Sequence, residues 1–322
     1  MRCVVITRHG RPADVATPAE RPRPRPGPGE VLVRLRARPV NPSDELFIEG
    51  RYGRRPTLPA VPGFEGAGVV AASDSAEHPV GQRVAVAAAG TWQEYVAVPA
   101  ADVVPVPDRL PDAVACQLTV NPLTALLLVR ELALRGGDWL LITAAGAALS
   151  RMVLHLARRD GVRCACVVRD GRHADRLTLA GADVVVDSAA ADLVERVRAA
   201  TGGAGVHAVL DAVGGEVGSA ALRCLRDGGQ AVVLGMLDGG PVHVTPHRLV
   251  FDEVAVRGFW LPRHLARQPA AVRAELVERA VALLGVPAFA PRVAAAYDLA
   301  DVREALDHVR RAGRAGKVIL TG

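Results

Sequence analysis

The stretch Trp139-Leu-Leu-Ile-Thr-Ala-Ala-Gly-Ala-Ala-Leu-Ser150 decides the fold. Its opening residues are continuously apolar, as a strand covered on both faces must be. Beyond the small-residue turn the spacing changes: Leu149, Met152, Val153 and Leu156 recur at i, i+3, i+4 and i+7, the face of an amphipathic helix. A buried strand passing through a short turn into a helix is one unit of a parallel sheet. The pattern continues downstream. Strands are expected over 163–169, 183–187, 208–213, 230–235 and 254–260, and helices through 179, over 193–200 and over 220–225. Strands alternating with helices in this way predict an α/β, doubly wound parallel sheet.

Upstream the character differs. Val31-Leu-Val-Arg-Leu-Arg-Ala37 alternates apolar and polar residues at period two, and 91–98 does so again, as half-buried strands do. Proline and glycine punctuate this part densely, for example in Arg21-Pro-Arg-Pro-Arg-Pro-Gly-Pro-Gly29. The change comes at Asn121-Pro122. Beyond residue 264 lie helical patterns over 270–284 and 302–310 and a last strand over 317–320. The expected domains are 1–122, 123–264 and 265–322.

Composition narrows the function classes. The chain has 322 residues, 50% hydrophobic and 23% charged, so it can bury a core and is not a disordered protein. No apolar run approaches the ~18–20 residues of a membrane span, and Met1-Arg2-Cys3 leads into a strand-like run rather than a signal peptide. A cytoplasmic protein without membrane association is expected. Five cysteines without framework spacing read as reduced thiols. The net charge of +5 is dispersed over many arginines, which points away from nucleic acid and toward a small anionic ligand. Of the 39 basic residues only Lys317 is a lysine, and the only asparagines are Asn41 and Asn121.

The turn at 143–150 stands where a dinucleotide fold binds pyrophosphate, between its first strand and first helix. Its composition is atypical, because Gly146 is its single glycine and Ala148 and Ser150 occupy positions that favour one. The end of the second strand says more. In Val168-Arg169-Asp170-Gly171-Arg172, two guanidinium forks are suited to a 2′-phosphate, favouring NADPH, while Asp170 keeps NADH open.

Taken together, several segments resemble the medium-chain dehydrogenases/reductases over essentially the whole chain. They are Asn41-Pro-Ser-Asp44, Gly50-Arg-Tyr-Gly53, Pro59-Ala-Val-Pro-Gly-Phe-Glu-Gly66, Gly90-Thr-Trp-Gln-Glu-Tyr95, Asn121-Pro-Leu-Thr-Ala125, Asp211-Ala-Val-Gly-Gly215, Gly258-Phe-Trp260 and Gly316-Lys-Val-Ile-Leu320. Within that group the chain most resembles the zinc-independent 2-enoyl thioester reductases, then the quinone oxidoreductases. The resemblance implies a Rossmann domain joined to a GroES-like β domain that the C-terminal segment completes. It implies a cofactor set of Asn121, Ala147, Ala148, Leu149 and Ser150, the loop Leu234, Gly235, Met236 and Leu237, the segment Phe259, Trp260 and Leu261, and Lys317. Gly146, Arg169 and Arg172 join it from the residue reading. Catalytic zinc needs Cys and His ligands. Where related zinc enzymes read Gly-His-Glu this chain reads Gly63-Phe64-Glu65, and no cysteine stands beside Ser43-Asp44, so no metal is expected.

The chemistry implied is hydride delivery to the β-carbon of an activated alkene, with a proton to the α-carbon. A tyrosine, with an ordinary pKa of about 10, keeps its proton at neutral pH and can supply it. Tyr52 matches the tyrosine to which the enoyl reductases assign this role. The expected substrate is a small molecule or an acyl thioester, and the family implies a homodimer paired through edge strands at 254–258. Two other readings stay open: a quinone or enone reductase in which Tyr52 only lines the wall, and a non-catalytic nucleotide-binding protein.

Overall fold

A computed structural model of the protein describes residues 1–189 and 192–322. Two units are found: Met1–Leu123 with Val277–Gly322, and Thr124–Leu276.

The second unit is built on six strands: Trp139–Ile142, Arg163–Val168, Val184–Asp187, Val206–Asp211, Leu225–Val233 and Ala255–Gly258. All pairings are parallel. Counted along the chain, their order across the sheet is third, second, first, fourth, fifth, sixth, the order of the dinucleotide-binding Rossmann fold. Parallel neighbours require crossovers, and the helices Ala148–Arg159, Ala174–Leu179, Leu193–Ala200 and Gly215–Arg223 lie between successive strands. Leu141, Ala165, Val186, Val209 and Ala231 are all buried in one core, which is why these strands read as apolar runs rather than alternations. The strand order reverses between Trp139–Ile142 and Val206–Asp211, so the ligand crevice of such a sheet opens at their carboxyl ends.

The strands expected over 208–213 and 254–260 lie at Val206–Asp211 and Ala255–Gly258, and two other elements differ more. The fifth strand begins at Leu225, not 230, because Leu225 pairs with Val206 before an irregularity in register. Asp227-Gly228-Gly229 lies within that strand but has the composition of a turn. The helix expected from 220 begins at Gly215, where Gly214 and Gly215 take positive φ of 77° and 56°.

The first unit carries a mixed, GroES-like β sheet. Its order is Val293–Asp298, Lys317–Thr321, Glu30–Pro39, Glu65–Ser73, Arg83–Ala87, Val103–Pro105, with Tyr95–Pro99 also paired to Glu30–Pro39. Lys317–Thr321 runs antiparallel to Glu30–Pro39, with Ile319 opposite Pro39, so late and early segments of the chain share one sheet. The strand expected from 91 starts only at Tyr95. Thr91 and Trp92 are instead fully buried. Gly63, at φ +98°, lies so close to them that a Cβ would sit 2.4 Å from Thr91 Oγ1 and Trp92 Cδ1. Arg38 breaks the alternation of its strand: it is completely buried and donates to the carbonyls of Leu35, Thr91, Gln93 and Gly322.

Candidate active site

The nucleotide half is assembled within the second unit. The turn after the first strand is held by backbone bonds from Thr143 N–H to Leu210 O at 3.0 Å and from Ala145 N–H to Val167 O at 3.0 Å. Ala144 takes φ +46°, the left-handed conformation glycine ordinarily supplies. Gly146 and Ala147 are exposed, Ala148 and Leu149 half-buried. Ser150 is buried with its Oγ donating to Thr143 O at 3.3 Å. Helix Ala148–Arg159 starts from Ala147 without a side-chain cap and without an acidic residue in its first turn. An uncapped helix start, bordered by small residues and facing the crevice end of the sheet, suits an anionic diphosphate.

Thr143 Oγ1 donates to Asp211 Oδ1 at 2.7 Å and accepts from Ala212 N–H at 2.9 Å. Asp211 also accepts from the N–H groups of Val213 and Gly214, both at 3.0 Å. Its backbone O receives Leu234 N–H at 2.8 Å, and Ala212 O receives Leu237 N–H at 3.2 Å. Gly235 lies so close to Ala212 that a Cβ would approach its carbonyl to 2.6 Å. The loop 234–237 is therefore laid against the end of the fourth strand, with Met236 and Leu237 exposing 44% and 58% of their surface.

At the end of the second strand Arg169 is exposed. Arg172 is not equivalent to it. Its Nε and Nη2 grip Asp170 Oδ1 and Oδ2 at 2.9 and 2.7 Å, and these hydrogen bonds, with the carboxylate's charge, raise the guanidinium's pKa further. Phe259 is buried and donates its N–H to Val233 O at 2.9 Å. Trp260 caps the short helix Leu261–Ala266, with Leu261 half-buried at its start. Sequence reasoning missed Thr143 and Asp211. The signal was present in Asp211-Ala-Val-Gly-Gly215: a carboxylate beside a Gly-Gly turn that ends a buried strand.

In the first unit, Tyr52 follows the helix Pro42–Ile48 and is fixed by its N–H on Leu46 O at 3.1 Å. Its ring packs on Phe64 with centroids 4.8 Å apart, and Phe64 meets Phe47 edge-on at 5.3 Å. Asn121 is buried at the first position of helix Asn121–Leu132.

Lys317 is buried, and its Nζ donates to Asn41 Oδ1 and, at 3.5 Å, to Val40 O. Asn41 Nδ2 donates to Glu65 Oε1 at 2.9 Å. Glu65 Oε2 accepts from the N–H groups of Thr119 and Val120 at 3.1 and 3.0 Å. Asn41 N–H donates to Asp44 Oδ2 at 2.7 Å. Asn41 thus does more than open an Asn-Pro turn, since its side chain links Lys317 to Glu65. Burial pulls the Lys317 ammonium down to about 8, against the pull of the Glu65 and Asp44 carboxylates. Burial likewise pushes Asp44 up to about 8 and raises Glu65. Among the described residues no group of three or more His, Cys, Asp or Glu is placed to hold a metal ion, and no helix is long and apolar enough to cross a membrane.

Residues 27–108 match the alcohol dehydrogenase GroES-like domain family, and residues 148–279 match the zinc-binding dehydrogenase family. The mitochondrial enoyl-[acyl-carrier-protein] reductase of Arabidopsis thaliana is 33% identical over 275 residues, 82% of this chain and 73% of its own length. Among solved structures, a Bacillus thuringiensis protein provisionally named NADPH:quinone reductase superposes with a TM-score of 0.93 at 33% identity, covering 100% of this chain and 98% of that one. A mycobacterial protein complexed with NADPH superposes with a TM-score of 0.89 at 31% identity, covering 100% of both chains. The chain belongs to the medium-chain dehydrogenase/reductase superfamily and is an NAD(P)-dependent oxidoreductase of the enoyl reductase or quinone reductase type.

Proposed function

We propose that the protein is an NADPH-dependent, zinc-independent reductase of an activated carbon–carbon double bond, with an α,β-unsaturated thioester as its substrate class. The observation that carries the reading is the packing of Phe64 on Tyr52. The position that bears an imidazole ligand in related zinc enzymes here holds an apolar ring, and that ring orients a phenol.

When bound, NADPH supplies a hydride from its nicotinamide ring. The uncapped first turn of helix Ala148–Arg159 would hold the diphosphate by its N–H groups. Arg169, exposed at the end of the second strand, would hold the 2′-phosphate, while Arg172 neutralises Asp170. The loop 234–237 and Phe259–Trp260 would line the nicotinamide half. Tyr52 Oη, or a water, would supply the proton that the substrate's α-carbon needs.

Turnover of crotonyl-CoA and of an N-acetylcysteamine enoyl thioester with NADPH, beside a quinone panel, tests this. Thioester reduction is expected, and Tyr52→Phe lowers kcat by about a hundredfold, the scale of a positioned general acid. Unchanged turnover in Tyr52→Phe removes the proton-donor role. Reduction of quinones alone selects the second reading, which the quinone reductase relatives support.

The same reading has the chain act as a homodimer through its sixth strand. Ala255–Gly258 lies at the sheet edge; Val256 within it exposes 37% of its surface, and Val250 and Phe251, just before it in the chain, expose 63% and 74%. Light scattering that returns a monomer at micromolar concentration excludes this.

A further inference from the structure

Glu131 stands in the last turn of helix Asn121–Leu132, where a carboxylate meets the negative end of the helix dipole. Its side chain is only 21% exposed. Both conditions disfavour a charge, and two donors offset them. Arg257 Nη1 donates to Oε2 at 2.8 Å, and His264 Nδ1 lies 2.7 Å from Oε1. A carboxylate can only accept, so Nδ1 carries the proton. Burial pushes the Glu131 pKa up, but the bonds from His264 and Arg257 outweigh it and hold the group ionised below the usual carboxylate range.

The His264 ring in turn stacks on Phe259, with centroids 4.2 Å apart and planes 28° apart. Phe259 is bonded to the end of the fifth strand through Val233 O. The Trp260 carbonyl receives the N–H groups of Arg263 and His264 at 3.1 and 3.2 Å. Contacts therefore run from Glu131 through His264 to Phe259 and Trp260, at the carboxyl ends of the fifth and sixth strands. All of these residues belong to one unit.

We propose that Glu131 and His264 are positioning residues for the nicotinamide half of the nucleotide. The carboxylate fixes the imidazole, and the imidazole fixes the face of Phe259 and the peptide that begins at Trp260. This rests on the NADPH reading above and deepens it. The diphosphate turn and Arg169 lie on other strand ends, so the adenosine half is held independently of this chain of contacts.

Calorimetric titration of wild type, Glu131→Gln, His264→Ala and His264→Phe with NADPH and with 2′,5′-ADP, alongside Tm, tests the assignment. His264→Ala and Glu131→Gln are expected to weaken NADPH by about tenfold while 2′,5′-ADP stays within about twofold. His264→Phe keeps the stack but has no donor for Glu131, so it is expected to weaken NADPH as Glu131→Gln does. Equal losses for both ligands, or no loss in either variant, overturn the inference while the NADPH reading stands. A wild-type chain that binds neither ligand overturns that reading, and this inference with it. If His264→Ala does not fold, the near-isosteric Glu131→Gln and His264→Phe carry the same comparison.

Discussion

Thr143 and Asp211 are joined by a 2.7 Å hydrogen bond between the ends of the first and fourth strands, the pair at which the sheet order reverses. Both side chains are fully buried. Asp211 also gathers the N–H groups of Val213 and Gly214, and a Cβ on Gly218 would come within 2.6 Å of its Oδ2. A turn with one glycine is thereby braced from the neighbouring strand. Thr143→Val preserves shape but leaves Ala212 N–H without its acceptor and Asp211 short of a donor. The expected cost is about 1–3 kcal/mol of stability in urea unfolding, with weaker NADPH binding. Thr143→Ser should retain most of both. Wild-type stability in Thr143→Val would mean that the tie has no energetic weight.

How far the sequence disclosed this arrangement depends on which physical signal each residue carries. The bounds of Leu193–Ala200 and Val302–Arg310 follow from helical spacing, because burial of one face is imposed by the core and needs no distant partner. The family motifs pointed to Tyr52, the nucleotide turn and Phe259–Trp260 as candidates. What remained hidden were relations between residues far apart in the chain. Arg38 reads as one more outward arginine of an alternating strand, yet four backbone carbonyls from three segments satisfy it in the interior. Lys317 reads as a terminal lysine by the cofactor, and its ammonium is found on Asn41, 276 residues away. Glu131 carries no pattern at all, because its partners Arg257 and His264 are set by the fold.

Nucleotide choice should reside in Arg169 more than in Arg172, whose fork is already closed on Asp170. Arg169→Ala is expected to raise KM for NADPH by about tenfold and to leave KM for NADH nearly unchanged, the difference being one exposed charge-assisted contact to phosphate. Asp170→Asn opens the Arg172 fork and is expected to shift preference further toward NADPH. The ratio of kcat/KM for the two nucleotides measures both. An equal effect of Arg169→Ala on NADPH and NADH would remove the 2′-phosphate role.

Gly63 has no substitute. At φ +98° any other residue is strained, and its Cβ would overlap the buried Thr91 and Trp92. Gly63→Ala is expected to destabilise the chain by roughly 3 kcal/mol or more, through strain and displacement of the Trp92 ring. A Tm within a degree of wild type would show that the segment relaxes freely.

Asp44 makes stability depend on pH in a defined window. Its carboxyl is fully buried, Oδ2 accepts from Asn41, and Oδ1 has no hydrogen-bond partner. Burial raises its pKa from 3.8 to about 8. Between those values the folded chain holds a proton that the unfolded chain has released, so this group's contribution is complete below the lower value and declines as pH rises toward the upper one. Lys317 has the opposite sign and a different window. Its folded value of about 8 lies below 10.5, so stability linked to it rises with pH only above about 8. Measurements at pH 5, 6 and 7 therefore read Asp44 without the opposing contribution of Lys317. Asp44→Asn keeps an acceptor for Asn41 N–H and an N–H in place of the acid proton, and it removes the linkage. Relative to wild type, the variant should gain stability with rising pH, by about 1 kcal/mol per unit. Contributions common to both proteins cancel in the difference. Parallel stability curves for the two proteins across pH 5 to 7 would show that Asp44 is ionised in the fold and that the buried cluster is held by charge rather than by a retained proton.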